Sequence, residues 1–224
     1  VSSHFELDPS AYDTRRRGHL FDRRVGVVAG HLASLPSGAR VLEVGSGPGA
    51  MLAALAALRS DLCFVGVEAA PAMVAHAVSA HAGANISFLA GDHRSSPPPD
   101  CAAAFCVDVL HHVHDPPDFA RWLARALAPG GTFLAIEPNS RNPWIWLSQE
   151  RMRRRGLDED HFDREAWAEA MAGAGFARPR LESAFLVPGG VGRVPRVIDQ
   201  LERRLERATP LGGSVVLRTR RAPG

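Results

Sequence analysis

Residues 41–49, VLEVGSGPG, decide how this chain is read. Val41, Leu42 and Val44 spell a short buried strand, and glycines at 45, 47 and 49 break it. The helical pattern MLAALAAL follows at once, so the glycines form a strand-to-helix turn. Such a turn lets a ligand lie against bare backbone at a helix N-terminus. Glu43 is the odd residue, a carboxylate inside an apolar strand that costs free energy unless a cation or a set of donors meets it. A nucleotide-like ligand that also carries an ammonium group meets both demands. S-adenosylmethionine is such a ligand; NAD is not.

Outward from this turn the chain alternates. Before it, Phe21, Val25, Val28 and Leu32 recur at helical spacing, giving a preface helix within residues 1–36. A helical preface of this length is unusual for a dinucleotide-binding domain. After the turn, CFVGVE (63–68) reads as a second strand, and Pro71 starts a helix carrying Met73, Val74, Ala77 and Val78. ISFLA (86–90) and AAAFCV (102–107) are further strands. Phe119, Trp122, Leu123 and Leu127 mark a helix closed by Pro129, Gly130 and Gly131, and TFLAIE (132–137) is the fifth strand. This rhythm means right-handed βαβ units and a mostly parallel sheet. Beyond it come helices at 144–155 and 164–174, a strand at 180–187, a helix with the stripe Val197, Leu201, Leu205, and a final strand at 214–219. The expected layout is one domain over 1–224: core sheet 40–137, a lid-like insertion at about 139–175, and C-terminal strands in 180–220.

In a doubly wound sheet ligands bind beyond the carboxyl ends of the strands, where strand order reverses. Glu43, Glu68, Asp92 and Asp108 fall at four such ends. Glu68 lies about twenty residues past the glycines, the spacing at which a carboxylate takes both ribose hydroxyls. Asp92 is placed to accept from the exocyclic amine of an adenine, and Glu43 lies near where a methionyl ammonium would sit. Gly45, Gly47, Gly49 and Ala50 also satisfy the loose dinucleotide pattern, so the glycines alone do not discriminate.

The segments VLEVGSGPG, GVE, GD, FCVDVLHHVHDP and LAPGGTFLAIEPN, in that order, resemble the class I S-adenosylmethionine-dependent methyltransferases. Within that family the look is of the small-molecule branch that includes quinone and natural-product enzymes, over residues 20 to 140. The resemblance implies an α/β, Rossmann-like, doubly wound seven-stranded sheet, mostly parallel with an antiparallel last strand and helices on both faces. It implies that Gly45, Ser46, Gly47 and Gly49 line the cofactor's methionyl and ribose portion. Glu68 and Ala69 would then meet the ribose, Asp92 and His93 the adenine, and the backbone near Val107 and Asp108 the ammonium. Tyr12, the only tyrosine, is the candidate for covering the cofactor.

Methyl transfer is an in-line displacement in which the cofactor carries the activation and the protein supplies approach geometry and a place for the acceptor's proton. A histidine suits that proton near neutral pH. His111 and His112 follow the fourth strand, and the resemblance puts His112 first; His114, before Asp115-Pro116, reads as a turn residue. Trp144, Trp146, His161 and Phe162 follow the fifth strand, where a lid over an apolar acceptor belongs. Arg151, Arg153, Arg154 and Arg155 either grip an acidic group or form a solvated face.

Composition bounds the rest. A formal net charge of +2 advertises neither nucleic acid nor an anionic membrane as partner. All basic side chains but histidine are arginine, which excludes a Schiff-base or P-loop lysine. Three cysteines at 63, 101 and 106 fit no zinc spacing, and no metal is expected. With no apolar run long enough to span a bilayer, the expected setting is cytoplasmic. The expected function is methyl transfer to a small-molecule acceptor, oxygen preferred, with a homodimer as the candidate assembly. The rivals are an NAD-dependent oxidoreductase, which strands Glu43, and a non-catalytic S-adenosylmethionine-binding protein. A nucleic-acid methyltransferase is disfavoured, because Asn142-Pro143-Trp144 follows the fifth strand instead of the fourth.

Overall fold

The structure, a computed structural model, describes residues 18–157, 160–189, 191–206 and 209–223. Its elements in chain order are α1 (His19–Leu32), β1 (Arg40–Val44), α2 (Ala50–Leu58), β2 (Cys63–Glu68), α3 (Pro71–His81), β3 (Ile86–Ala90) and β4 (Cys101–Val107). A 3-10 turn (Leu110–His112) then precedes α4 (Pro116–Ala126), β5 (Leu127–Pro138), α5 (Pro143–Arg154), α6 (Arg164–Gly173), β6 (Arg180–Ala184), α7 (Arg196–Leu205) and β7 (Ser214–Arg220). The seven strands form one sheet in the order β3-β2-β1-β4-β5-β7-β6. β1 through β5 pair in parallel, and β7 runs antiparallel to both β5 and β6. Strand order reverses between β1 and β4, so the crevice for a ligand opens above those two carboxyl ends.

The pleat sorts the core. Leu42, Ala104, Cys106, Phe133 and Leu217 point to the face covered by α4 and α6, where Phe119, Trp122, Leu123, Trp167 and Met171 pack. Their neighbours Val41, Ala103, Phe105, Leu134 and Val216 point to the opposite face, under α1, α2 and α3 with Val25, Val28, Leu32, Leu52 and Leu55. Trp122 is fully buried and donates its Nε1 proton to the Ser95 carbonyl at 2.8 Å, so its one polar atom is satisfied. Helix starts follow local chemistry. Asp115 caps α4 by accepting from the Asp118 amide, Asn142 caps α5 by accepting from Trp144, and prolines fill the first positions of both.

Two sequence expectations are corrected. β5 begins at Leu127, five residues early, because Leu127 pairs with Cys101 and the strand bulges over the Pro-Gly-Gly step before resuming at Thr132. β6 stops at Ala184, since Phe185 takes φ 60 and leaves the extended path. The stripe Val197, Leu201, Leu205 does lie on a helix, but it faces outward, at 67, 51 and 48% exposure. α7 buries its acidic face instead. His19 Nε2 lies 2.6 Å from Glu202 Oε2, and Arg23 bonds Asp199, Glu202 and Glu206 at 3.2, 2.8 and 2.7 Å. Glu202 also accepts from the amides of Leu186 and Val187. Burial pushes its carboxyl upward, yet these donors outweigh it and hold the group below the usual range.

The stretch 139–175 divides. Phe162, Trp167 and Met171 belong to the core beneath α4, while α5 stands at the crest of the sheet.

Candidate active site

A cavity of about 830 Å³ opens over the carboxyl ends of β1, β2, β4 and β5. Gly45, Gly47, Glu68, Ala69, Asp92, His93, Val107, Asp108, His111 and His112 all stand on its wall, together with Trp144 and Met152 of α5. The sequence-derived set is therefore largely brought together. Glu43, Ser46 and Gly49 are not on that wall. Glu43 is 1% exposed inside the sheet, opposite Gly66 and Phe105. Ser46 is buried with its hydroxyl lacking a hydrogen-bond partner, and Gly49 backs onto Phe88. Tyr12 lies outside the described residues.

The glycine turn fits a ligand pressed to backbone. Gly45 has φ 69, and a Cβ there would stand 2.5 Å from a Val109 methyl, so the site tolerates no side chain. Glu68 closes the turn from the side. It accepts from the Gly47 amide at 2.8 Å through one oxygen and from the Ala70 amide at 2.9 Å through the other. The carboxylate thus clamps the first loop to the second, with lone pairs left for ligand hydroxyls.

Asp92 is engaged. Arg94 bonds it at 2.5 and 2.9 Å, and this guanidinium holds its carboxyl below the usual range. Any ligand amine at Asp92 shares the carboxylate with Arg94. His93 tilts against the Phe119 ring, with centroids 5.8 Å apart.

Asp108 follows β4 directly, in a left-handed backbone conformation, φ 57. Arg24 of α1 grips its carboxylate with two bonds, at 2.8 and 3.0 Å, tying the preface helix to the switch point.

The histidine pair is built on Glu137. This carboxylate at the end of β5 has no solvent exposure, and it accepts from the amides of Val109 and Leu110 at 3.1 and 2.9 Å. It also meets the His111 amide at 3.4 Å and His111 Nδ1 at 2.7 Å. A carboxylate there selects the tautomer protonated at Nδ1 and leaves Nε2 as the basic nitrogen. The His112 ring lies 4.0 Å from that of His111. Burial, then the nearby carboxylates of Glu137, Glu43 and Asp108, push the Cys106 thiol well up, so it stays an inert packing group.

The lid candidates separate. Trp144 reaches the cavity, whereas Trp146 stacks on His161, ring planes 6° apart. Phe162 packs under Trp167 in the core. Arg151, Arg153, Arg154 and Arg155 stand outside the cavity; Arg153 and Arg154 both hold Glu150. Glu137 and Arg24 are the site residues that sequence reading misses. Glu137 satisfied the same strand-end test as Glu68 and was findable; Arg24 sits on an ordinary helical surface pattern and gave no signal.

The comparisons with known proteins agree with this geometry. The family model described as "Methyltransferase domain" matches residues 12–178, more than half of the chain. A trans-aconitate 2-methyltransferase from Methylobacterium nodulans is 32% identical over 167 residues, 72% of this chain and 60% of that protein. A ubiquinone biosynthesis O-methyltransferase from Sodalis glossinidius is 29% identical over 113 residues, 49% of this chain and 45% of that one. The chain thus spans about half the length of the ubiquinone-pathway relatives it matches. In structure it is similar to one chain of the "Complex between the Haloferax volcanii Trm112 methyltransferase activator and the putative methyltransferase", with TM-score 0.70 and 21% identity, over 100% of this chain and 100% of that chain. A seven-stranded sheet with the β7 reversal, a glycine turn no side chain could occupy and a ribose-spaced carboxylate on one cavity wall all point the same way. The chain belongs to the methyltransferase-domain family, in its class I form, whose cofactor is S-adenosylmethionine.

Proposed function

We propose that this chain methylates a hydroxyl of a small, largely apolar acceptor, with His111 as the base and Glu137 as the group that orients it. The observation that carries the reading is the 2.7 Å contact between Nδ1 of His111, which lines the cavity, and the fully buried Glu137 carboxylate behind it. Bound S-adenosylmethionine supplies the activated sulfonium methyl. The residues that would hold it are Gly45 and Gly47 against its backbone-facing edge, Glu68 at the ribose hydroxyls, and Asp92 with His93 toward the adenine. On the acceptor side Trp144, Ile145, Met152, Leu186 and Val187 present apolar surface, which excludes water from the reacting hydroxyl.

The proton of that hydroxyl passes to His111 Nε2 as oxygen commits to its new bond. Glu137 stabilises the resulting imidazolium without taking the proton, the role an orienting carboxylate plays beside a catalytic histidine. General-base help of this kind is worth about 10² to 10⁴ in rate. Relatives named for ubiquinone biosynthesis and for trans-aconitate support a small-molecule acceptor.

The test is turnover with labelled cofactor across hydroxylated acceptors, next to calorimetric titration of S-adenosylhomocysteine. His111→Ala is expected to lower kcat by about 10²-fold or more while cofactor affinity stays level. Glu137→Gln should shift the acid limb of the kcat–pH profile, because the imidazolium loses its counter-charge. Full turnover in His111→Ala, with loss in His112→Ala, would transfer the base to His112. Tight NAD binding with no response to S-adenosylhomocysteine would end the reading altogether.

A further inference from the structure

The exposed apolar surface of this protein is concentrated. Of the twelve large hydrophobic side chains that stand exposed among the described residues, nine lie on two stretches, 143–154 and 185–213. These stretches follow β5 and β6, strands that run the same way because both are antiparallel to β7. Both therefore emerge at the crest where the cavity opens. On α5, Trp144 is 79% exposed while also lining that cavity, and Trp146 and Leu147 stand beside it. On α7 the amphipathic pattern is turned inside out. Asp199, Glu202 and Glu206 are drawn inward by Arg23 and His19, which leaves Val197, Leu201 and Leu205 to the outside.

Charge says what covers such a surface. The carboxylates of both helices are already spent, Glu150 on Arg153 and Arg154, and Asp199 on Arg23 and Arg203. Arg151 and Arg155 at the end of α5, and Arg196 and Arg204 on α7, pair with no carboxylate among the described residues. The outward surface of each helix is thus apolar, edged by guanidinium groups that pair with no carboxylate among the described residues. A second copy of the chain is a poor match, since a two-fold interface would set this arginine-rich patch against itself. An anionic bilayer answers both features, taking the tryptophans and leucines at its headgroup boundary and the arginines at its phosphates. No helix among the described residues is long and apolar enough to cross a membrane, so the contact is one of lying on the surface.

We propose that the crest formed by α5 and α7 docks on an anionic lipid surface and that the acceptor enters the cavity from it, past Trp144. The second half of this statement rests on the methyl-transfer reading; the docking does not. This departs from the composition-based expectation of no membrane partner, because a net charge near zero hides a local excess of arginine.

The experiment is co-sedimentation of the full chain with phosphatidylcholine vesicles, with and without phosphatidylglycerol, in the absence of cofactor and acceptor. Binding is expected only with phosphatidylglycerol and is expected to weaken as salt rises. Leu201→Glu with Leu205→Glu, and separately Trp146→Ser, should each lower the partition by about tenfold or more. None of the three residues lines the cavity, so S-adenosylhomocysteine affinity should not move. No binding to the anionic vesicles, or binding indifferent to these substitutions, would overturn the proposal. So would a dimer in sedimentation velocity that the same substitutions dissolve, which would show a second copy covering the crest. Vesicle binding in a chain that transfers no methyl group would refute the enzymatic reading and leave the docking intact.

Discussion

Glu68 does two jobs at once, and a single substitution separates them from the rest of the site. Its oxygens hold the Gly47 and Ala70 amides, so the two ligand loops are joined before any ligand arrives. Glu68→Ala removes that clamp and the proposed ribose acceptor together. Charge-assisted hydrogen bonds of this kind contribute about 1.5 to 3 kcal/mol each, so S-adenosylhomocysteine affinity should fall by about 10- to 100-fold. Calorimetry on a variant with an unchanged far-UV spectrum checks this; level affinity would place the ribose elsewhere. A second residue acts far from the cavity. His31, in the last turn of α1 against Thr132, has its pKa pushed down from 6.5 to about 4, first by burial and then by Arg218. The folded protein keeps it neutral while the unfolded chain protonates it near 6.5, so the unfolded state binds more protons in between. Stability is therefore whole above pH 6.5 and declines as pH falls toward 4. At about 1.4 kcal/mol per pH unit, the loss is on the order of 3 kcal/mol. His31→Gln should flatten the melting temperature across that window.

At the scale of elements, α7 shows how an ion-pair cluster overrides an apolar stripe. Arg23 and His19 on α1 take up Glu202, and Glu202 in turn holds the Leu186 and Val187 amides at the cavity wall. The helix is thus an anchor for the 186–187 wall of the cavity, the proposed acceptor side, as well as a surface. Arg23→Met should leave Glu202 and Glu206 short of donors in a buried setting, at a cost of about 3 kcal/mol. Urea denaturation measures that cost, and a rise in acceptor KM with unchanged cofactor affinity reports the loosened 185–187 wall. The same cluster brings His19, Asp199 and Glu202 within metal-ligating distance of one another, but the Arg23 guanidinium already supplies the cation there.

For the whole molecule, the sheet was readable because its signals are local. Gly45 and Gly49 need positive φ, Glu68 stands a fixed distance beyond them, and alternating Val, Ala and Phe along β1 and β4 serve two faces. What escaped were pairings set by distant chain. No window of sequence says that Leu127 will bond beside Cys101, that Arg24 will reach Asp108, or that Arg23 will turn α7 over. Glu137 belongs between these cases: its strand-end position was legible, but its hold on His111 depends on β4 and β5 lying side by side.

The placement of β7 between β5 and β6 carries a consequence for biosynthesis. A chain emerging amino end first delivers β5 and β6 to the ribosome surface well before Ser214–Arg220, the one strand among the described residues that pairs with β6. Until that segment is translated, β5 offers a raw edge and β6 has nothing to join, a state that invites chaperone capture or aggregation. The parallel half of the sheet, with the crevice over β1 and β4, is complete in the nascent chain first; the proposed acceptor side waits for the latecomer.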